Sequence, residues 1–251
     1  MVEIALPLHA RQVARRSVSL PSIRSANRWT TELLLIVAAY FASELSRGFA
    51  DSSAATAIGH AHDVVGIEKH VGLFHEAGLQ SFAHSVPGLS ALLGYSYVSL
   101  HMVVTVGVLA WAYRYHRKAF PLLRNALIVA STIAVFVYWI FPTAPPRLAH
   151  VGIADTVSSA TSVNLSSNAL ASFYNPFAAV PSMHIGFAVL AAATVGMLAR
   201  RRLVKVIAAA YPVFVLFVIV ATGNHFLFDA AAGAAVAVVA MALVRAPRPS
   251  R

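Results

Sequence analysis

Two histidines in this sequence lie in contexts that suit phosphoryl chemistry. His225 and Asp229 are four residues apart, so they would share one face of a helix that begins at Asn224. A carboxylate in that position fixes the imidazole tautomer and stabilises its charged form, which leaves the other ring nitrogen free to attack. His184 lies just after Pro181, one turn into a predicted helix. It is suited to protonate a leaving oxygen.

Three further residues are candidates for binding a phosphate group. The free N–H groups after Pro181, together with the Ser182 hydroxyl, would form an anion site at a helix N-terminus. Arg147 follows two prolines, and its planar guanidinium group matches phosphate. Asn224, beside the attacking histidine, is the third candidate. Together these residues predict a site that holds a phosphoryl group between two histidines.

Other polar residues are weaker candidates. His101 lies in the middle of an apolar segment and either lines a substrate cleft or hydrogen-bonds within a helix bundle. Asp155 and Asn175 flank the site in sequence, where they would bind a polar acceptor or cap loops. Five histidines between residues 51 and 88 lack the spacing of a ligand set, so neither a metal site nor a cofactor is predicted. They are His60, His62, His70, His75 and His84.

The composition indicates that a helical membrane protein holds these residues. Apolar residues make up 59% of the chain and charged residues 11%, against about 25% charged in soluble domains. A membrane span needs about 20 mostly apolar residues. Five runs qualify: Leu89–Ala112, Pro121–Phe141, Val180–Ala199, Leu203–Thr222 and Phe226–Val244. A sixth, Thr31–Ala50, includes Glu44 and Arg47, which are spaced to pair on the face toward the bundle. We therefore expect an all-α bundle of six transmembrane helices.

The distribution of basic residues predicts the orientation of this bundle. Of the 19 Lys and Arg residues, only Arg47, Lys69 and Arg147 fall outside the four clusters on one side of the predicted spans. The positive-inside rule makes the crowded side cytoplasmic, with both termini there. Because the basic residues are divided among loops, the net charge of +10 does not indicate a nucleic-acid partner. No cysteine is present, so disulfides and thiolate ligands are excluded.

The predicted organisation follows from these spans. Residues 1–28 are expected to form a disordered basic cytoplasmic tail, 29–246 the six-helix catalytic domain, and 247–251 a basic C-terminal tail. Two segments face outward: 51–88, a helical cap or interfacial helices, and 142–179, a loop. Three polar clusters, around Arg147, around Ser182 and His184, and around His225 and Asp229, then lie at the same surface. The prediction is a multi-pass protein of the cytoplasmic (plasma) membrane, with its active site on the extracytoplasmic face.

At these residues the sequence resembles the type 2 phosphatidic acid phosphatase superfamily, and more closely its branch containing inositol phosphorylceramide synthases. Pro181-Ser182-Met183-His184 is similar to the superfamily's Pro-Ser-Gly-His, with Met183 in place of glycine, as is common in that branch. His225 and Asp229 match the end of the superfamily's third motif at its spacing. Pro145-Pro146-Arg147 resembles the branch's version of the first motif.

This resemblance implies a role for each residue. His225 would be the nucleophile that forms a phosphohistidine, and Asp229 its orienting partner. His184 would be the general acid, while Arg147 and Ser182 would bind phosphate, without a metal ion.

The sequence departs from the superfamily pattern at positions that usually carry charge. Ile140 stands where a lysine precedes Arg147 by seven residues, and Val218 and Ile219 replace a Ser-Arg pair. The number of phosphates handled is therefore left open.

The main hypothesis is an integral membrane lipid phosphatase that acts on a lipid phosphate at the outer leaflet through a phosphohistidine. The alternative is a lipid phosphotransferase that moves a phospho-head group, such as phosphoinositol, to an alcohol acceptor. The absence of a lysine at the position of Ile140 favours phosphotransfer over hydrolysis only slightly. Further alternatives are an anion or lipid transporter and an inactive lipid-binding relative. A conduit is disfavoured because the last three spans are almost wholly apolar below the polar clusters.

Overall fold

The computed structural model describes residues 53–165 and 175–246, with six helical residues between 30 and 38. The chain divides into two compact units, Met1–Leu35 and Ile36–Arg251. The second contains every element described below. The predicted tails, 1–28 and 247–251, and the Glu44–Arg47 pair lie outside the described residues, as does most of the predicted first span.

The described part of the second unit is helical, as predicted, apart from one β-bridge between Thr143 and Ala178. The helices are α1 (Ala54–His70), α2 (Glu76–Ser85), α3 (Leu89–Tyr115), α4 (Phe120–Ile140), α5 (Thr156–Ala160), α6 (Met183–Leu198), α7 (Arg202–Ala221) and α8 (Leu227–Arg245). A 3₁₀ turn spans Pro146–Leu148.

Four of these helices, α3, α4, α7 and α8, are long and apolar enough to cross a membrane, and α6 is a shorter apolar helix of 16 residues. They correspond to five of the six predicted spans. Large apolar side chains such as Val103, Phe136 and Val213 are exposed on their outer surfaces, which suits a lipid environment better than water. The chain is therefore a multi-pass helical membrane protein. The total of six spans and the orientation remain predictions.

Close packing between α6, α7 and α8 brings the polar ends of these helices together. Small residues line the contact, and Ala188, Ala230 and Ala237 are buried. Small side chains let apolar helices approach closely. The approach is closest at Gly233, where an added Cβ would overlap the carbonyl oxygen of Ser182. Glycine is therefore needed there to bring α8 against the start of α6.

Two helices begin later than the sequence predicted. Pro181 lies before α6 rather than in its first turn, because Ser182 is the N-cap in an extended conformation. The Ser182 N–H donates to the carbonyl of Asp229 at 2.9 Å, a tertiary contact that replaces a helical start. Similarly, α8 begins at Leu227, with Phe226 as its N-cap, and not at Asn224.

The two segments that the sequence predicts to face outward contain short regular elements in their described residues. Segment 51–88 contains α1 and α2, and segment 142–179 contains the 3₁₀ turn, α5 and the β-bridge. Gln80 of α2 connects the two segments: its amide donates to the Ala154 carbonyl at 2.9 Å and accepts from the Ala154 N–H at 2.9 Å. The cap therefore holds the segment that includes Asp155.

Candidate active site

His225 and Asp229 meet at the start of α8, although His225 lies outside the helix. Nδ1 of His225 is 3.2 Å from Oδ2 of Asp229, and the same oxygen accepts the Phe226 N–H at 2.9 Å. His225 is 5% exposed and Asp229 is fully buried. An ionised Asp229 accepts from the protonated Nδ1 and leaves Nε2 without a proton. This arrangement suits a nucleophilic imidazole.

The second histidine of the predicted site, His184, is in the first turn of α6. Its ring centroid lies 5.4 Å from that of His225, with the rings inclined at 62°. It stacks on Tyr97 at 4.6 Å, and the ring of His101 meets it edge-on at 4.1 Å. Two side chains of α3 therefore hold the imidazole next to His225.

This contact places His101, a weak sequence candidate, against His184. Tyr97 was missed by the sequence analysis. The sequence feature that could have identified Tyr97 is its spacing of four residues from His101, which puts both side chains on one face of α3.

Arg147 approaches the same region from the segment after α4. Its Nε donates to Oδ1 of Asn224 at 2.9 Å, and its backbone N–H donates to the Gly223 carbonyl at 2.9 Å. Its Nη1 lies 3.6 Å from Oδ2 of Asp155, and its side chain is only 2% exposed. Nη2 has no hydrogen-bond partner within the described ranges. That buried group is available to an anion.

Asn224 orients Arg147 instead of presenting its own amide to a ligand. Its Nδ2 donates to the carbonyl and the hydroxyl oxygen of Thr222, at 3.2 and 3.1 Å. Asp155 combines two functions, since its Oδ1 also accepts the Ser158 N–H at 3.0 Å as the N-cap of α5. Asn175 accepts the Phe177 N–H at 2.8 Å, which is a loop-capping contact.

Ser182 provides a second buried donor with no partner among the described residues. It is the N-cap of α6 and is 0% exposed, yet its hydroxyl does not cap the helix. The first N–H groups of a helix have no intrahelical acceptor and carry partial positive charge. Buried donors in native proteins are nearly always bonded. The start of α6 is therefore suited to an anionic group.

Two buried glutamates that the sequence analysis did not assign to the site also reach α8. Glu68 Oε1 accepts the Phe228 N–H at 2.6 Å, and Glu76 Oε1 accepts the Leu227 N–H at 3.1 Å. Burial, followed by the neighbouring carboxyl group of Glu76, raises the pKa of Glu68 from its ordinary value of 4.5 to about 8. The only sequence signal was the presence of acidic side chains in a mostly apolar chain.

Three histidines of the segment 51–88 lie within hydrogen-bond distance of residues in the segment 142–179. His60 Nδ1 lies 2.7 Å from the Pro142 carbonyl, and His62 Nε2 lies 3.0 Å from the Ala149 carbonyl. His84 Nε2 lies 3.1 Å from the hydroxyl of Thr156. In the part of the chain that the structure describes, no group of three His, Cys, Asp or Glu residues is placed to hold a metal ion.

At three positions where the sequence differs from the superfamily pattern, the residues are apolar and add no charge to this site. Val218 and Ile219 are buried in the core, and Ile140 is 78% exposed at the end of α4. Arg147 is therefore the cation that the described residues place beside His225.

Comparison with known proteins identifies the family. No curated protein and no solved structure matches the chain. The sequence profile of the PAP2 superfamily matches residues 62–243, a range that includes every residue of the site above. The match does not distinguish the inositol phosphorylceramide synthase-like branch, which stays a prediction. From the extent of this match, the chain belongs to the PAP2 superfamily.

Proposed function

We propose that the protein is an integral membrane lipid phosphatase that removes phosphate from a lipid phosphate through a phosphohistidine at His225. Members of the PAP2 superfamily are generally phosphoesterases, which supports an enzyme. The observation that carries the proposal is the pairing of His225 Nδ1 with buried Asp229, beside a second histidine with its ring centroid 5.4 Å away.

In the first step, the substrate phosphate lies between the start of α6 and Arg147. Among the described residues, the Ser182 hydroxyl and Arg147 Nη2 are buried donors without a partner, and they would hold the phosphate oxygens. Nε2 of His225 attacks phosphorus, and the bond to the lipid oxygen breaks as the N–P bond forms. His184 gives its proton to that oxygen, so the lipid leaves as an alcohol.

In the second step, water replaces the lipid alcohol. His184, now neutral, takes a proton from the water as its oxygen attacks the phosphohistidine. The N–P bond breaks, inorganic phosphate leaves, and both imidazoles return to their starting states. Asp229 stabilises the charge on His225 throughout, because its carboxylate remains hydrogen-bonded to Nδ1.

A location at the outer leaflet is part of the proposal. His225, Ser182 and Arg147 lie at the ends of helices or in segments on the side that the positive-inside rule assigns to the exterior. Substrate would reach the site from the outer half of the bilayer. The residues described supply both acid–base and phosphate-binding groups, so the proposed reaction needs no metal ion.

The Arg147–Asp155 contact favours a second candidate, the lipid phosphotransferase. The carboxylate lies 3.6 Å from the guanidinium group and offsets its charge. The buried residues Val218 and Ile219 add no cation. A site with so little net positive charge suits a phosphodiester with one negative charge better than a diphosphate. The phospho-head group on His225 would then pass to an alcohol deprotonated by His184.

Turnover by the purified protein tests both candidates. The substrates are phosphatidic acid, phosphatidylglycerol phosphate, polyprenyl monophosphate and diphosphate, and phosphoinositide, each with EDTA present. Orthophosphate that disappears in His225→Ala would support the phosphatase. A new lipid formed only with an alcohol acceptor would support the transferase. Lipid binding without either product would overturn both and favour an inactive relative, whereas flux of labelled phosphate or lipid in liposomes would indicate a transporter.

A further inference from the structure

The N-terminus of α8 is capped by three carboxyl groups, and two of them come from the outward helices. The N–H groups of Phe226, Leu227 and Phe228 donate to Asp229, Glu76 and Glu68, at 2.9, 3.1 and 2.6 Å respectively. A negative group is favourable at this position because of the unpaired N–H groups and the helix dipole. The phosphate-binding donors must therefore lie elsewhere, and the cap has a different purpose.

The two glutamates accept neighbouring N–H groups at the start of the same helix. Glu68 is 2% exposed and Glu76 is 0% exposed. Among the described residues, the Oε2 atom of each has no hydrogen-bond partner. Two ionised carboxylates have no proton to share, and their repulsion would be strong in a buried site. One proton held between the two Oε2 atoms would remove this repulsion and give both buried atoms a partner.

We propose that Glu68 and Glu76 are a proton-sharing pair that positions the nucleophile of this enzyme. Each carboxyl group holds one N–H of the first turn of α8, and the shared proton keeps the two groups together. Because the same turn carries Asp229 and follows His225 directly, the pair fixes the direction of the His225 ring. The inference rests on the proposed role of His225, but it concerns residues that touch neither the phosphate nor the reacting atoms.

The position of the proton makes the pair sensitive to alkaline pH. The groups that face Glu68 are Glu76 from α2 and Asp229 from α8, both acidic, and the Phe228 N–H. His225 adjoins Asp229 at 3.2 Å. Loss of the shared proton would place two charges on the pair, so Glu68 and Glu76 would separate and release the turn. A misplaced nucleophile lowers kcat, while KM changes little because the phosphate ligands are unaffected.

Glutamine substitutions separate positioning from general support of the fold. In Glu68→Gln and Glu76→Gln, the amide oxygen still accepts an N–H from α8, and the NH₂ group replaces the shared proton permanently. We expect kcat at pH 7 within about threefold of the wild type, and loss of the alkaline decrease near the pKa of about 8. In Glu68→Ala, kcat should decrease by about a hundredfold, with KM within about threefold. His62→Ala, which removes a contact from the same helix α1 to Ala149, is the matched control and should retain the wild-type profile.

A second measurement does not depend on activity. With histidine ¹⁵N-labelled and His225 assigned by difference from His225→Ala, its signals should show an inflection near pH 8 in the wild type. The inflection should be absent in Glu68→Gln and present in His62→Ala. An inflection in a protein inactive on every substrate would support the pair and contradict the phosphatase. The pair would be overturned if Glu68→Gln retained both the inflection and the alkaline decrease, or if Glu68→Ala lost no more activity than His62→Ala.

Discussion

One carboxylate oxygen of Asp229 binds both the ring of His225, at 3.2 Å, and the backbone N–H of Phe226, the next residue, at 2.9 Å. The direction of the ring and the start of α8 are therefore set by the same atom. Whatever holds the first turn of α8 also aligns the proposed nucleophile. The orientation of His225 thus depends on the packing around the start of α8.

Replacement of the central pair should separate the role of the nucleophile from that of the carboxylate charge beside it. We expect His225→Ala to abolish turnover, because the phosphohistidine cannot form. In Asp229→Asn, the amide oxygen can still accept from Nδ1 and from the Phe226 N–H, but the negative charge that stabilises a positively charged His225 is lost. Activity should therefore decrease by about a thousandfold with little change in folding. Orthophosphate or lipid-product release measures both, with trapping of phosphorylated protein as a check. Full activity in His225→Ala would contradict the proposed mechanism.

The role of His184 can be tested with leaving groups of different basicity. If His184 protonates the departing oxygen, His184→Ala should slow hydrolysis of a lipid phosphate by about a hundred- to ten-thousandfold. With a nitrophenyl phosphate, whose leaving oxygen needs no proton, kcat should decrease much less in the same variant. Comparison of kcat for the two substrates is the measurement. Equal losses on both would indicate that His184 holds the phosphate or the fold and does not act as an acid.

Sequence spacing predicted the parts of the site that depend on local geometry. The spacing of His225 and Asp229 correctly suggested a contact, although α8 begins two residues after His225. The predicted start of α6 was wrong, because the observed start depends on the hydrogen bond from the Ser182 N–H to the Asp229 carbonyl, a contact between distant segments. The periodicity of apolar residues predicts helices, but it carries no information about such contacts.

The two glutamates at the start of α8 show more clearly that local sequence does not predict contacts between distant segments. Glu68 is 160 residues from Phe228, and Glu76 is 151 residues from Leu227. Their own sequence context is that of outward helices with several polar residues, where exposure is the ordinary expectation. Only the tertiary packing of α1 and α2 around the start of α8 buries these two carboxyl groups. The five apolar runs, by contrast, were predicted well, because length and hydropathy are local properties.

The charge on the bound phosphate can be tested at Asp155. Asp155→Asn keeps an oxygen to accept the Ser158 N–H and cap α5, but it removes the negative charge 3.6 Å from Arg147. We expect KM for a dianionic monoester to decrease by about tenfold, since the guanidinium charge is no longer offset. A phosphodiester should gain less. Steady-state kinetics with matched lipids decide the comparison, and Arg147→Ala should raise KM for both. An unchanged KM for both in Asp155→Asn would show that Arg147 does not contact the phosphate.

The predicted orientation can be tested directly because the natural chain has no cysteine. Ser162 lies exposed in the outward segment, and Lys118 lies exposed between α3 and α4. We expect Ser162→Cys to react with a membrane-impermeant maleimide in intact cells and Lys118→Cys to react only after permeabilisation. The reverse pattern would place the site on the cytoplasmic side and contradict the proposed outer-leaflet substrate.

The buried glutamate also predicts how stability depends on pH. The pKa of Glu68 in the folded protein is raised from 4.5 to about 8, so the folded chain binds this proton more tightly than the unfolded chain. The protonated Glu68 carboxyl group contributes its full stabilisation below about pH 4.5, and this stabilisation is lost as the pH rises through about 8. Thermal unfolding in detergent should therefore show a Tm that decreases between pH 6 and 9 in the wild type and decreases less in Glu68→Gln. Since His62→Ala retains the glutamate pair, it should show the wild-type slope even if its Tm is lower throughout. Equal slopes in the wild type and Glu68→Gln would mean that Glu68 is already ionised at neutral pH, and the two carboxyl groups would then need another partner to remain together.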